Sequence, residues 1–353
     1  MASTKVIKMA QGDHPDKFLK EAVKVIKGGG LVIIPTETVY GIAADAGNRR
    51  AVERLYKVKK RPHDKPFSLL IERKEKIDDL ARRVPSAAYK LTERFWPGPL
   101  TVVLEGHKGG SVGLRMPDNE IAMRILELSG IPLVCPSANL SGEAAPVNFT
   151  DAIKNLDGLV DLAIDGQDSV LGVESTVVDL RVEPIKITRA GAIKEEEIQK
   201  VVKSKNVLFV CTGNSCRSVM AEALLKKRLQ EAGRSDVEVS SAGTMMFGGL
   251  HATDATKQVL ANEGIDVSAH RSQHLDVPLL RKSDIILVME KKHEERVLRL
   301  APEVKNRVFL LKEFAKISNG RVNIDDPIGR SMGFYGRTLE VIKQAIERVI
   351  KII

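Results

Sequence analysis

Three cysteines in 353 residues are too few for a disulfide framework, and two of them share one loop, so the chain reads as one that works in a reducing, cytoplasmic setting. No apolar run approaches the roughly 20 residues a membrane-spanning helix needs. The first residues, MASTKVIKMAQGDHPDKF, lack the apolar core and small-residue cleavage site of an export signal. No membrane partner is therefore expected. Internal repeats and low-complexity segments are missing as well. There is no G-x-x-x-x-G-K-[ST], which excludes an ordinary P-loop. The positive excess is mild: of a net charge of +9, about +3 lies before residue 204 and about +6 after it. That bias suits anionic small molecules or weak RNA contact and is too diffuse to predict nucleic-acid binding by itself.

What is present is a chain long enough for two domains, with the composition of a soluble globular protein. In its first half Asp16 to Lys27 reads as an amphipathic helix broken by Gly28-Gly29-Gly30, and LVIIPTETVYG follows as a buried strand and turn. LTVVLE (100–105), PLVCPSANLSG (132–142) and STVVDLR (175–181) give further strand-then-loop signals, with helices near 48–59, 85–95, 118–130 and 150–155. A charged helix at 194–203 marks the boundary, which places the domains at 1–203 and 204–353. Strands at 206–210, 237–240, 284–288 and 307–310 then alternate with helices at 218–232, 253–263, 292–300 and 335–350. The fold class is α/β throughout, and the second half is a doubly wound, four-stranded parallel sheet with flanking helices.

The stretch FVCTGNSCRS, Phe209 to Ser218, could be a metal knuckle, a redox pair or an oxyanion cradle. A metal site needs further Cys or His ligands at suitable spacing, and none is near, so no metal is expected. The loop joins a strand end to a helix start, where backbone N–H groups and the helix dipole favour an anion and lower a thiol pKa. Cys211 is the candidate nucleophile. Arg217 completes C-x5-R with a planar fork that matches a tetrahedral anion, and Ser218 can donate to the sulfur as it leaves. A leaving group needs an acid; NIDDPIG supplies Asp326, stiffened by Pro327, with Asp325 as the near alternative.

Together VCTGNSCRSVMAE, SSAGT, SAHRSQHL, DIILVME and DDPIG resemble the low-molecular-weight protein phosphatases across about 205–353. The resemblance implies a phosphocysteine intermediate on Cys211, the phosphoryl group held by Arg217, Ser218 assisting the thiolate, and Asp326 as general acid and then base. Thr212, Gly213, Asn214, Ser215 and Cys216 complete the phosphate loop, Asn214 shaping it, and no cofactor is required. Tyrosine-directed members carry a bulky apolar residue before the second loop cysteine and aromatics after the Asp-Pro. Here those places hold Ser215 and Ile328-Gly329, so a phenyl ring has no stacking wall. Arginine-directed members carry a threonine at the first place, and Ser215 is close to it. A phosphoprotein bearing phosphoarginine is the expected substrate, with tyrosine phosphatase and arsenate reductase as alternatives. The thioredoxin-coupled reductases need two further cysteines, and none follows Cys216. Cys216 could trap Cys211 as a disulfide or simply pack in the loop.

In the first half Lys59, Arg61 and Lys65 fall within seven residues, and Arg115 and Arg189 follow. Cations combined with Ser/Thr/Asn loops at strand ends read as a polyphosphate site. IPTETVYGIAADA, WPGPLTVVL, VGLRMPD, CPSANLSG, GVESTVVD and ITRAG resemble the YrdC-like L-threonylcarbamoyladenylate synthases, whose K-x-R…S-x-N is Lys59-Lys60-Arg61 with Ser137-Ala138-Asn139. The resemblance implies a twisted mixed sheet and the substrates ATP, L-threonine and bicarbonate, with Mg2+ accompanying ATP. Threonine's N-carboxylate would attack the α-phosphate and release pyrophosphate. The product would feed a separate threonylcarbamoyl transferase, with tRNA as a candidate partner. By match, Thr36, Arg115 and Ser175 hold threonine, and Lys59, Arg61, Lys65, Ser111, Ser137, Asn139 and Arg189 hold ATP. Longer members carry a linker that closes over the site and then a small C-terminal domain of their own; here the phosphatase half follows in the sequence where that domain would be. A non-catalytic RNA-binding module is the rival for this half. Among single residues, Cys135 reads as a core thiol in a strand, Trp96 as turn packing, Met245 and Met246 as loop packing near the phosphatase cleft. His270 and His274 read as helix-surface or cap histidines.

Overall fold

The computed structural model describes residues 3–9, 15–107, 109–246, 248–317 and 320–353. Tertiary contacts divide the chain into two compact units, one up to Gln199 and one from Lys200 to Ile353. The division falls inside the helix Glu195–Lys203, whose acidic first turn and basic last turn complement its own dipole.

The first unit is built on β1 (Lys5–Lys8), β2 (Val32–Ile34), β3 (Gly41–Asp45), β4 (Leu69–Leu70), β5 (Ala81–Arg82), β6 (Leu100–Gly106), β7 (Ser111–Arg115), β8 (Leu133–Val134), β9 (Leu162–Asp165), β10 (Thr176–Asp179) and β11 (Lys186–Arg189). They form one mixed sheet in the order β1-β9-β2-β3-β8-β4-β7-β6-β10-β11, with β5 against β6. Strand β2 shows why the sequence reads as buried. Val32 and Ile34 pack with Leu19, Ile26 and Ile125 on one face, while Leu31 and Ile33 pack with Tyr40, Leu55 and Ala163 on the other. Side chains alternate across a strand, so a strand covered on both faces is apolar at every position. The expected helices appear as Pro15–Lys27, Arg49–Lys59, Ser86–Phe95, Glu120–Ser129 and Phe149–Lys154. PLVCPSANLSG yields only the two residues of β8, and the rest is loop. That loop is where chemistry collects.

The second unit has β12 (Lys205–Cys211), β13 (Val237–Gly243), β14 (Ile285–Val288) and β15 (Val308–Leu310) in the order β13-β12-β14-β15. All pairings are parallel. The doubly wound sheet is therefore present as expected, flanked by the helices Arg217–Glu231, Asp254–Ala261, Lys291–Leu300 and Met332–Val349. The chain leaves β12 towards β13 and returns to its other side as β14. A crevice forms outside the carboxyl ends of strands at such a reversal, and the loop after Cys211 begins there. Among the described residues, no helix is long and apolar enough to cross a membrane.

Two candidate active sites

In the second unit, Cys211 ends β12 and Cys216 takes the N-cap position of the helix Arg217–Glu231. The loop's outer carbonyls are tied away: Thr244 N donates to Cys211 O and Met245 N to Thr212 O, each at 3.0 Å. Asn214 sits at φ +49°, a left-handed conformation that a non-glycine residue holds only when its surroundings fix it. They do. Its Oδ1 accepts from Gln273 N (2.8 Å), its carbonyl meets His270 Nε2 (2.8 Å), and its Nδ2 donates to Ser218 Oγ (2.9 Å) and Ser241 Oγ (2.7 Å). Ser218 Oγ, loaded from one side by that amide, lies 3.0 Å from Cys211 Sγ. Its single hydrogen is therefore free to point at the sulfur.

Arg217 is almost wholly buried. Its Nη1 donates to Glu290 and to the Ile324 carbonyl (2.8 Å), and its Nη2 donates to Asp326 and, at 3.4 Å, to Thr212 Oγ1. Thr212 Oγ1 also meets the Nε2 of buried His293 at 2.9 Å. Burial, reinforced by the Arg217 charge, pushes the His293 imidazolium down to about 4, so the ring is neutral near pH 7. Burial alone would raise the Glu290 carboxyl, but hydrogen bonds from Arg217 and Lys292 outweigh it and hold the group below its usual range. Asp326 turns inward to Arg217, whereas Asp325 turns outward, 3.8 Å from Arg321. Ser215 is anchored by Thr253 N on its carbonyl (3.1 Å), and Cys216 Sγ lies 3.5 Å from Thr253 Oγ1 and 3.6 Å from Tyr335 OH. Cys211 and Cys216 are both free thiols.

The first unit holds a cleft lined by arginines and hydroxyl side chains. Of the residues expected there, Thr36, Arg61, Arg115, Ser137, Ser175 and Arg189 line it. Arg115 is held in place by donating from Nη2 to Thr38 Oγ1 (2.8 Å) and from Nε to Gly98 O (3.3 Å). Its Nη2 is also 2.7 Å from Glu37 Oε1, an ion contact out of hydrogen-bond alignment. Arg189 donates to Ser175 O (2.9 Å), Ser175 Oγ (2.8 Å) and Glu174 Oε1 (2.7 Å), and Thr101 Oγ1 meets Ser175 Oγ at 2.8 Å. Arg61 lies over the Phe67 ring, 5.1 Å from its centroid, with Nε on the Lys65 carbonyl.

Lys59 is close to this cleft without lining it. Its Nζ donates to Ser137 O (2.5 Å), Asn139 O (2.8 Å) and Asn139 Oδ1 (2.8 Å), and burial followed by the Arg61 charge pushes the ammonium down to about 8. It holds the Ser137–Asn139 turn in shape. Lys65, Ser111 and Asn139 also fall outside the lining, Ser111 at the start of β7.

Several residues came to the sites unannounced. Thr38, Glu37 and Glu174 hold the cleft arginines, and the repeated hydroxyls of PTETV and the acid of GVEST were the available signals. Gly191 of ITRAG fits because a Cβ there would stand 2.4–2.5 Å from the backbone of Glu174 to Thr176. Gly243 does the same beside the phosphate loop, at 2.9–3.1 Å from Thr212 O, Gly213 C and Asn214 N. His270 and His274 are not on a helix. Ser268 N bonds to Asp266 Oδ1 (2.8 Å) and opens a loop that brings His270 to Asn214, while His274 bridges to Gly243. Cys135 lies just past β8 rather than within it and lines the cleft, its thiol pushed up to about 12 by burial. Trp96 packs at a turn, 4% exposed, and donates to Leu100 O at 2.7 Å.

Two family models match the chain. The Sua5/YciO/YrdC model, described as telomere recombination, covers residues 24–191, and the low molecular weight phosphotyrosine protein phosphatase model covers 206–353. The threonylcarbamoyl-AMP synthase of Pyrococcus abyssi is 41% identical over 58% of this chain and 63% of its own length. The Bacillus subtilis synthase is matched over 57% of its length, so the chain spans less than two thirds of these two relatives. A putative threonylcarbamoyl-AMP synthase of Mycobacterium leprae is 36% identical over 56% of this chain and 93% of its own. The protein-arginine-phosphatase of Geobacillus stearothermophilus is 37% identical over 40% of this chain and 92% of its own. The crystal structure of P. abyssi Sua5 complexed with L-threonine superimposes with a TM-score of 0.54 at 28% identity, covering 87% of this chain and 99% of that one. The chain thus belongs to two families at once, the Sua5/YciO/YrdC threonylcarbamoyl-AMP synthases in its first part and the low-molecular-weight protein phosphatases in its second.

Proposed function

We propose that this is a bifunctional cytoplasmic enzyme that makes L-threonylcarbamoyladenylate in its first unit and dephosphorylates phosphoarginine proteins in its second. For the synthase, the carrying observation is the convergence of Arg61, Arg115 and Arg189 with the hydroxyls of Thr36, Ser137 and Ser175 in one cleft. Arg115, fixed by Thr38 and Gly98, positions the carboxylate of threonine, the ligand in the related P. abyssi structure. Arg61 and Arg189 hold the phosphates of ATP. Threonine's N-carboxylate, formed with bicarbonate, attacks the α-phosphorus; the P–O bond to pyrophosphate breaks and the cleft cations stabilise the charge that leaves. No protein nucleophile takes part. Among the described residues, no cluster of His, Cys, Asp and Glu is arranged to hold a metal ion. The cleft carboxylates, Glu37 and Glu174, face Arg115 and Arg189. The donor set therefore fits Mg2+ that arrives on the nucleotide, where it would screen phosphate charge. The mixed anhydride then passes to a threonylcarbamoyl transferase acting on tRNA.

For the phosphatase, the carrying observation is the Ser218–Cys211 contact at 3.0 Å beside Arg217 and Asp326. The Cys211 thiolate attacks phosphorus, an S–P bond forms and the bond to the leaving group breaks, with the proton supplied by Asp326. Water, deprotonated by the same carboxylate, then cleaves the S–P bond and releases phosphate. Substrate choice rests on Ser215, whose small hydroxyl leaves room for a guanidinium and gives no wall to a phenyl ring. The test compares phosphoarginine and phosphotyrosine peptides. The unmodified chain turns over phosphoarginine faster, and Ser215→Ile moves the preference towards phosphotyrosine; equal turnover by the unmodified chain refutes the assignment.

A further inference from the structure

Behind the loop that carries Asp326, the phosphatase unit has a cavity that neither candidate site uses. Lys312, Arg321, Asn323, Asp325, Phe334 and Arg337 line it. Three cations here meet one carboxylate. Lys312, 4% exposed, is an inner wall whose Nζ donates to the Arg321 carbonyl. Asp325 lies 3.8 Å from Arg321, but both side chains are largely in solvent (63% and 84% exposed), so that pair is screened and exchangeable. The Arg337 guanidinium stands over the Phe334 ring at 5.4 Å, and Arg330 approaches the same ring at 5.9 Å. The ring attracts the Arg337 guanidinium without using its N–H donors.

We propose that this cavity binds a polyphosphate anion, either pyrophosphate or the phosphates of a nucleotide, and that its occupancy restrains the loop bearing Asp326. The forks of Arg321 and Arg337 match paired phosphate oxygens, and the excess of cations over Asp325 favours a multiply charged ligand over a monoanion. The cavity is coupled to the chemistry by the backbone. Ile324, which also lines it, accepts Arg217 Nη1 at 2.8 Å, and Asn323 Oδ1 accepts Lys291 N at 3.1 Å. An anion held by Arg321 and Arg337 fixes residues 321–326 in the arrangement where Asp326 is bonded to Arg217. Turnover requires that bond to open, so occupancy lowers kcat. The regulatory part rests on Asp326 as the general acid; the binding part does not.

The test uses the full chain and p-nitrophenyl phosphate, titrated separately with pyrophosphate and ADP. Either anion also competes at the Cys211 loop, which raises KM alone. Binding behind the acid loop lowers kcat as well, by about fivefold if the coupling is of ordinary size. The double variant Arg321→Ala/Arg337→Ala, which keeps the backbone carbonyl that Lys312 uses, retains the starting kcat and the KM effect but loses the fall in kcat. An ADP response without a pyrophosphate response assigns the site to nucleotides. No fall in kcat with either anion, or an equal fall in the double variant, overturns the restraint. Equilibrium dialysis with labelled pyrophosphate and ADP reads binding apart from catalysis: the double variant holds one equivalent fewer of the effective anion, and equal stoichiometry for both overturns the site.

Discussion

Asp326 accepts a hydrogen bond from Arg217, so the proposed acid and the proposed phosphoryl clamp of the phosphatase unit are bonded to each other. In the proposed mechanism a phosphate dianion binds the loop and Arg217 first, and Asp326 then releases the guanidinium to reach the departing atom. Acid supply is then a step after binding. Asp326→Asn keeps a similar shape and removes the transferable proton. Its kcat should fall by about 10²- to 10⁴-fold for leaving groups that need protonation. Inhibition by inorganic phosphate, which needs only the loop and Arg217, should change far less. Unchanged kcat on phosphoarginine peptides would rule out Asp326 as the acid.

Two glycines separate the activities without touching a reacting group. A Cβ at Gly191 meets the backbone of Glu174 to Thr176 at 2.4–2.5 Å, and one at Gly243 meets the phosphate-loop backbone at 2.9–3.1 Å. Backbone cannot rotate aside as a side chain can, so the neighbouring loop must move. A misplacement of about 1 Å can cost on the order of a hundredfold in rate. Gly191→Ala should therefore lose pyrophosphate release and keep phosphatase turnover, and Gly243→Ala should do the reverse. Loss of both activities in either variant would contradict local action.

Lys59 shows how a motif residue can act one step from the ligand. Replacing it by Met leaves three acceptors of the Ser137–Asn139 turn without their shared donor. Asn139 Oδ1 keeps the Ser137 hydroxyl (2.6 Å), and each of the two part-buried carbonyls left without a donor costs about 1 kcal/mol. Lys59→Met should abolish synthase activity and lower the unfolding midpoint of the first unit. Lys59→Arg should not restore it, because a planar fork cannot serve three acceptors gathered round one ammonium. An active Lys59→Met enzyme of normal stability would refute the turn-holding role.

His293 gives the phosphatase unit a pH signature. Its pKa is pushed down to about 4 in the fold, from an ordinary value of 6.5. Between those values the unfolded chain binds the proton and the native one does not, so stability rises with pH across that window and falls as pH drops through it. The slope is on the order of 1.4 kcal/mol per pH unit for one proton. Urea midpoints for loss of phosphatase activity, measured from pH 4.5 to 7, should show a shallower pH dependence in His293→Gln. An identical dependence would mean that His293 does not carry the slope.

Much of this was legible in the amino-acid order, and the gaps have physical causes. The βα repeats after residue 204 announce themselves through strand–helix periodicity, and C-x5-R with Asp-Pro names the phosphatase chemistry. Strand β13 reads as ending at Ser240, yet Gly243 still pairs with Cys211. Two-residue strands such as β4, β5 and β8 are too short to have a period. The inward turn of His293 and the contact of His270 with Asn214 depend on packing between segments dozens of residues apart, which no local pattern records. The Lys59 motif was visible, but its bonding to the turn rather than to the cleft was not.

The most direct test of two independent active sites on one chain is a paired assay of Cys211→Ser. The variant should release pyrophosphate at the unmodified rate, only when ATP, L-threonine and bicarbonate are all present, and should show no turnover of phosphoarginine peptides. Retained phosphatase turnover, or pyrophosphate release that is absent or indifferent to threonine, would contradict the account.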